Sequence, residues 1–292
     1  MAGPPESRLA GAMTQRPILV LGGTGKTGRR VAAHLSERGH PVRALSRSTG
    51  QRFDWHDTST WDAALRDVRS AYVVEPGTAD APETVRAFAE RAAAQGVQRL
   101  ALLSFRQVEE PEHAHYRAIE QAVRDSGAGW TMLRPDWFAQ NFSEDFFREG
   151  VLAGGLRLPT GDGAVPFVDA EDIAAVAAAV LTEDGHDGRV YEITGPRLLT
   201  LADALAEIAR AGGPAARFTH VEAGDFRADL GRQGWPAEAA DVVTALLDGI
   251  RRGRNASVSD GVRQVLGREP ADFADYAKAA AAAGAWRDRP AG

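Results

Sequence analysis

Gly22, Gly25 and Gly28 stand three residues apart in Leu21-Gly22-Gly23-Thr24-Gly25-Lys26-Thr27-Gly28, directly after the apolar run Pro17–Leu21. This G-x-x-G-x-x-G spacing between a predicted strand and a predicted helix suits a diphosphate. The first glycine permits a tight turn, the second lets the backbone approach the phosphates, and the third lets the helix pack close to the strand. Free N–H groups at the helix start and the helix dipole favour the anion. Thr24 and Thr27 complete the turn, and Lys26 adds a positive charge there. Gly25-Lys26-Thr27 also mimics the end of a triphosphate-binding P-loop. That motif needs glycine at position 20, where Val20 stands, so kinase and ATPase chemistry is rejected.

A second set of residues selects among dinucleotides. An NAD site usually carries Asp or Glu at the end of the second strand, about 20 residues after the glycines, on the ribose 2′-hydroxyl. Here that strand ends Ala44-Leu45-Ser46-Arg47-Ser48, without a carboxylate. Arg47, with Ser48 beside it, offers a fork of donors to a 2′-phosphate, so NADPH/NADP is the expected cofactor. Asp54 and Trp55, near an expected third strand, are placed at the adenine, and Glu75 and Pro76 at the adenosine or ribose.

Ser104 ends a strand whose tip should face the cofactor. His115 and Tyr116 open a predicted helix, and these three are the candidate proton donors. Phe105, Trp137, Phe138, Asn141 and Phe142 are expected to line an apolar site for a flat substrate. Arg134, before Pro135, either holds substrate or cofactor or pairs with a buried carboxylate. Asp169 and Asp172 read as a helix cap and a first-turn charge. His113-x-His115 lacks further clustered ligands, so no metal is expected.

The elements that must position these residues alternate in type. Strands are predicted at Pro17–Leu21, Val42–Leu45, Tyr72–Val74, Leu100–Leu103 and Trp130–Leu133, with helices at Thr27–Arg38, Ala81–Gln95 and Glu112–Asp125. Alternation of this kind implies an α/β, Rossmann-type, doubly wound parallel sheet. We place this cofactor domain at residues 16–150, with a late strand at 189–193 joining its sheet. A smaller, mostly helical part that covers the substrate is placed at 151–286, and a disordered tail at 1–15. In that second part a strand is expected at Ala164–Val168 and a helix at Ala170–Leu181. Helices follow from Leu199, broken at 212–214, 234–236 and 268–270.

Composition bounds the rest. The 292 residues are 44% hydrophobic and 25% charged, ordinary for a globular protein. A net charge of −6 argues against nucleic-acid or membrane partners, leaving a small-molecule substrate. No apolar run reaches the ~18 residues of a membrane span. The absence of cysteine excludes disulfides, thiolate metal sites and thiol nucleophiles. The first fifteen residues have no apolar core of a signal peptide, so a cytoplasmic location is expected. Monomer and homodimer are both left open.

The glycine turn with Arg47 resembles the NmrA-like group of atypical short-chain dehydrogenases. Further segments resemble its clavine-type reductase branch (festuclavine synthase and agroclavine dehydrogenase-like proteins of ergot-alkaloid pathways). These are Phe53-Asp54-Trp55, Leu133-Arg134-Pro135-Asp136-Trp137-Phe138, Asn141-Phe142-Ser143-Glu144, Thr160-Gly161-Asp162-Gly163 and Pro166-Phe167-Val168 with Asp172-Ile173. The resemblance implies an NAD(P)(H)-binding Rossmann domain, hydride transfer and a place in secondary metabolism. It also exposes a departure. Short-chain dehydrogenases typically use Tyr-x-x-x-Lys, where lysine lowers the tyrosine pKa; here Tyr116 is followed by Glu120, and the only lysines are Lys26 and Lys278. Three explanations stand: an electrophile such as an iminium that needs no proton, a different acid, or a non-catalytic sensor. The expected function is an NADPH-dependent oxidoreductase acting on an imine, iminium, enone, quinone or carbonyl group of a small cyclic or aromatic substrate. The alternatives are a redox-sensing regulator and a non-redox cyclase or isomerase.

Overall fold

Ile18–Leu21 (β1) is buried at every position, as a central parallel strand covered on both faces must be. The computed structural model that shows this describes residues 16–287; the expected tail at 1–15 lies outside them. The chain divides into two units, Met1–Arg134 with Ile173–Tyr191, and Pro135–Asp172 with Glu192–Gly292. The division falls at Arg134/Pro135 rather than at 150.

In the first unit β1 is followed by β2 (Val42–Leu45), β3 (Ser70–Val74), β4 (Arg99–Leu103) and β5 (Gly129–Pro135). With β8 (Arg189–Ile193) they form one sheet in the order β2-β1-β3-β4-β5-β8. Each pair among the first five is parallel, and the register aligns their starts: Ile18 with Val42 and Ser70, Ser70 with Arg99, Arg99 with Gly129. Gly22, Ser46, Glu75 and Ser104 therefore follow β1 to β4 along one edge, where Arg134, still inside β5, lies level with Ser104. The winding of the sheet switches sides after β2, so the switch point lies between β1 and β3. Ligands of open α/β sheets sit at such a switch point, outside the carboxyl ends.

The connecting helices are α1 (Gly28–Glu37), α2 (Trp61–Leu65), α3 (Ala81–Ala94) and α4 (Ala114–Arg124). The apolar stripes of α2, α3 and α4 bury one face of the sheet: Leu19, Leu21, Val73, Leu100, Leu102 and Met132 share a core with Leu65, Val85, Phe88, Ile119 and Val123. The strand expected near Asp54 and Trp55 does not form beside them; Ser46 and Arg52 make only an isolated bridge. Side chains satisfy the backbone there. Asp54 Oδ1 accepts from His56 N–H at 3.0 Å, and Asp57 Oδ1 accepts from Ser59 N–H at 3.1 Å. The segment is pinned by rings instead, with Phe53 and Trp55 5.5 and 5.0 Å from Phe88.

The second unit contains α5 (Arg148–Leu152), β6 (Gly155–Leu158), β7 (Ala164–Val165), β9 (Leu199–Thr200), α7 (Leu201–Arg210), β10 (Arg217–His220), α8 (Ala223–Arg232), α9 (Ala237–Arg251), α10 (Gly261–Leu266) and α11 (Phe273–Ala282). Helix α6 (Ala170–Thr182) runs across the division. Two small sheets, β10-β6 and β7-β9, accompany the helices. The expected strand at 164–168 shortens to two residues. No helix among the described residues is long and apolar enough to cross a membrane.

Candidate functional site

Sterics show why glycine occupies the turn after β1. A Cβ on Gly28 would stand 2.2 Å from Gly22 O and 2.7 Å from Gly22 C. One on Gly23 would stand 2.9 Å from Ala44 Cβ, and one on Gly25 3.1 Å from Gly22 O. Gly22 itself has φ +67°, a left-handed conformation costly for other residues. The turn is closed by Gly25 N–H on Gly22 O at 2.7 Å and tied to β2 by Gly23 N–H on Leu45 O at 2.9 Å. Gly23 had escaped the motif; the Gly22-Gly23 doublet was its signal.

Thr24 and Gly25 are exposed, Lys26 is half-buried and Thr27 is buried at the cap of α1. The first turn of α1 carries no acidic residue, so no carboxylate of its own neutralises the helix's positive end. This glycine-rich turn fits a diphosphate. Arg47 and Ser48 are exposed beyond β2, and Arg47 has no hydrogen-bond or ion-pair partner among the described residues. The backbone beneath them is braced by Ser46 N–H on Thr49 Oγ1 at 2.9 Å.

The other expected cofactor residues divide. Glu75 and Pro76 follow β3 on the same edge, half-buried, with Glu75 Oε2 accepting from Gly77 N–H at 2.5 Å. Asp54 is instead paired with Arg52, and Trp55 packs edge-on against Phe53 at 5.1 Å, within the aromatic cluster.

Beyond β4 the structure gathers the hydride-chemistry candidates. Tyr116 packs edge-on to Phe105 at 4.8 Å and to His115 at 5.3 Å. Burial first, and the Glu75 carboxylate second, push the Tyr116 hydroxyl above its ordinary value. That is opposite to the activation lysine gives the tyrosine of Tyr-x-x-x-Lys.

Glu120, at the lysine position, is 1% exposed and saturated with donors. Its Oε1 accepts from Ser104 Oγ at 2.7 Å and Arg134 Nε at 2.8 Å. Its Oε2 accepts from Arg134 Nη2 at 2.7 Å and Arg124 Nη2 at 2.9 Å. Arg134 Nη2 also reaches Glu109 at 2.5 Å. Burial alone would lower the Arg134 guanidinium, yet the two carboxylates hold it above its ordinary value. Of the two roles open to Arg134, it takes the partner of a buried carboxylate. Glu120, Glu109 and Arg124 were not singled out from sequence, although glutamate in place of lysine was visible.

In the second unit Phe142 is fully buried between Phe147, Phe167 and Phe273, with centroids at 5.0, 5.2 and 5.4 Å. It is core, not lining. Trp137 and Phe138 are half-buried; Trp137 stacks on Phe147 at 5.9 Å, and Phe138 pairs with Val168 in a bridge. Asn141 accepts Phe147 N–H on its carbonyl at 3.0 Å. Asp169 accepts from Glu171 N–H at 2.9 Å in the cap of α6, and from Gln140 at 2.6 Å. Asp172 is buried against Arg268 at 2.7 Å. No group of three or more His, Asp or Glu among the described residues could hold a metal ion.

Comparison with known proteins supplies independent findings. The model of the NmrA-like family matches residues 14–246. A (4-alkanoyl-5-oxo-2,5-dihydrofuran-3-yl)methyl phosphate reductase of Streptomyces griseus is 36% identical over 276 residues, covering 89% of this chain and 96% of that protein. Festuclavine synthase II of Penicillium roqueforti is 34% identical over 280 residues, covering 89% and 97%. The solved structure of an NADPH-dependent quinone oxidoreductase from Escherichia coli, complexed with NADPH, matches with a TM-score of 0.77 at 24% identity. The match covers 90% of this chain and 99% of that one.

Proposed function

The chain belongs to the NmrA-like family, and from that premise we propose that it is an NADPH-dependent reductase. Its substrate class is a small cyclic or aromatic molecule whose ring system accepts hydride without a proton from an activated tyrosine: an iminium, a ring enone or a quinone. The observation that carries the cofactor is the exposed Arg47 guanidinium, which has no partner among the described residues. It lies one residue beyond Ser46, which the register sets level with Gly22. The relatives support the reaction class: one is a (4-alkanoyl-5-oxo-2,5-dihydrofuran-3-yl)methyl phosphate reductase and another a festuclavine synthase.

The backbone of residues 22–27 and the start of α1 hold the diphosphate, and Arg47 holds the 2′-phosphate. NADPH bound there supplies hydride. This chain's own residues at the sheet edge supply orientation and an electrostatic setting rather than a tyrosine–lysine proton relay. Glu120 occupies the lysine position, and burial keeps Tyr116 protonated.

Calorimetry tests the reading. Arg47→Asp should weaken NADPH about 10- to 100-fold, the worth of one or more charge-assisted hydrogen bonds at ~1.5–3 kcal/mol, and leave NADH nearly unchanged. Equal losses refute the role of Arg47. Binding of neither dinucleotide to folded protein refutes the reductase. Binding of NADPH without its oxidation by any iminium, enone or quinone favours a regulator.

A further inference from the structure

Ser104 sits at the carboxyl edge of the sheet, beyond β4, with its N–H on Leu133 O at 2.8 Å. A serine hydroxyl there would ordinarily be read as a donor to a substrate oxygen. Hydrogen-bond accounting contradicts that. An ionised carboxylate has about four lone-pair sites on its two oxygens. Those of Glu120 are filled by Arg134 Nε, Arg134 Nη2, Arg124 Nη2 and Ser104 Oγ. Glu120 thus has no hydrogen to give, and the Ser104–Glu120 bond at 2.7 Å runs in one direction, from serine to carboxylate. Glu120 is 1% and Arg134 6% exposed, so the carboxylate and its two bonds from Arg134 are shielded from solvent.

We propose that Glu120 is a positioning residue that turns Ser104 into an acceptor. With its hydrogen held inward, the Ser104 oxygen offers only lone pairs at the sheet edge and takes an N–H of the bound molecules. That donor is either the carboxamide of the nicotinamide or a nitrogen of the substrate. Ser104 therefore does not act as the proton donor expected from its position in the sequence, and gives no stabilisation to a developing oxyanion. The inference rests on the reductase reading, and its test keeps the two separable.

Calorimetry on the full chain reads the N–H directly. One arm compares NADPH with its reduced 3-acetylpyridine analogue, whose methyl ketone lacks the carboxamide N–H. The other compares, on NADP⁺-loaded protein, the 3,4-dihydroisoquinolinium ion with its N-methyl counterpart. One arm should show a preference of roughly three- to tenfold for the N–H member, the worth of one net hydrogen bond. The arm that shows it identifies the source. That preference should vanish in Ser104→Ala and return in Ser104→Thr. It should also vanish in the double variant Glu120→Gln with Arg134→Gln, which does not strand Arg134 in the interior and whose amide can give a hydrogen to Ser104. A purely structural Glu120 would change melting without touching the preference. A preference that survives Ser104→Ala, or none in either arm, overturns the proposal. Failure of wild-type protein to bind NADPH overturns the reductase reading itself.

Discussion

Placing alanine at Gly22, Gly25 and Gly28 of the β1–α1 turn should separate stability from binding, because these glycines are required for different reasons. At Gly28 the new Cβ falls 2.2 Å from Gly22 O and 2.7 Å from Gly22 C, against ordinary contacts of 3.4–4 Å. Both atoms are backbone, so the start of α1 must retreat by about an ångström. Overpacking of this kind costs ~1–3 kcal/mol, and the rigidity of the obstacle puts Gly28→Ala near the upper end. At ~2–4 °C per kcal/mol, the melting temperature should fall by roughly 6–12 °C. At Gly22 space is open, with Val74 Cγ2 at 3.7 Å, and the cost is conformational: φ +67° asks ~1–2 kcal/mol of an alanine. At Gly25 the nearest atom is Gly22 O at 3.1 Å and the residue is exposed, so Gly25→Ala should lose under ~1 kcal/mol. Its methyl covers the face that the backbone offers to the diphosphate, so NADPH affinity should drop about 10- to 100-fold. Thermal melts and calorimetry on the three variants therefore give opposite rankings for Gly25 and Gly28. Equal destabilisation by both, or wild-type NADPH affinity in Gly25→Ala, would refute the steric argument.

Other outcomes follow from the same geometry. Tyr116 is raised above its ordinary value near 10, chiefly by burial, so it stays neutral as pH rises through that value. The pH–rate profile should show no limb from it below pH 10. Tyr116→Phe should cost under ~10-fold in kcat, where a general acid contributes ~10²–10⁴; a hundredfold loss would restore Tyr116 as the acid. Glu120→Ala leaves Arg134 buried with only the largely exposed Glu109 and should destabilise by ~3–5 kcal/mol in denaturant unfolding, most of it recovered on adding Arg134→Met. No recovery would show that the carboxylate matters for a reason other than charge pairing. Phe142→Ala should cost ~3–5 kcal/mol of stability and leave KM unaltered; a changed KM at full stability would return Phe142 to the substrate site.

What sequence alone determined was local. The run Ile18–Leu21, the glycines after it and the helix from Gly28 are adjacent in the chain, so strand, turn and helix are specified by neighbours. The place of Arg47, just past a strand end, was legible for the same reason. Periodicity also announced the alternation that makes a parallel sheet. Tertiary structure decided whatever depends on which element covers which. Apolar spacing marked Phe142 as one of a row of aromatics; only its packing against Phe147, Phe167 and Phe273 made it core. A strand was expected near Asp54 and Trp55, but the Asp54 side chain takes up the backbone there and Phe53 is pinned on Phe88. Glu120 was visible only as a missing lysine. Its meaning came from Arg134, fourteen residues away on a strand that the sheet register brings alongside Ser104. Pairing across elements is a non-local free-energy choice, and no window of sequence contains both partners' surroundings.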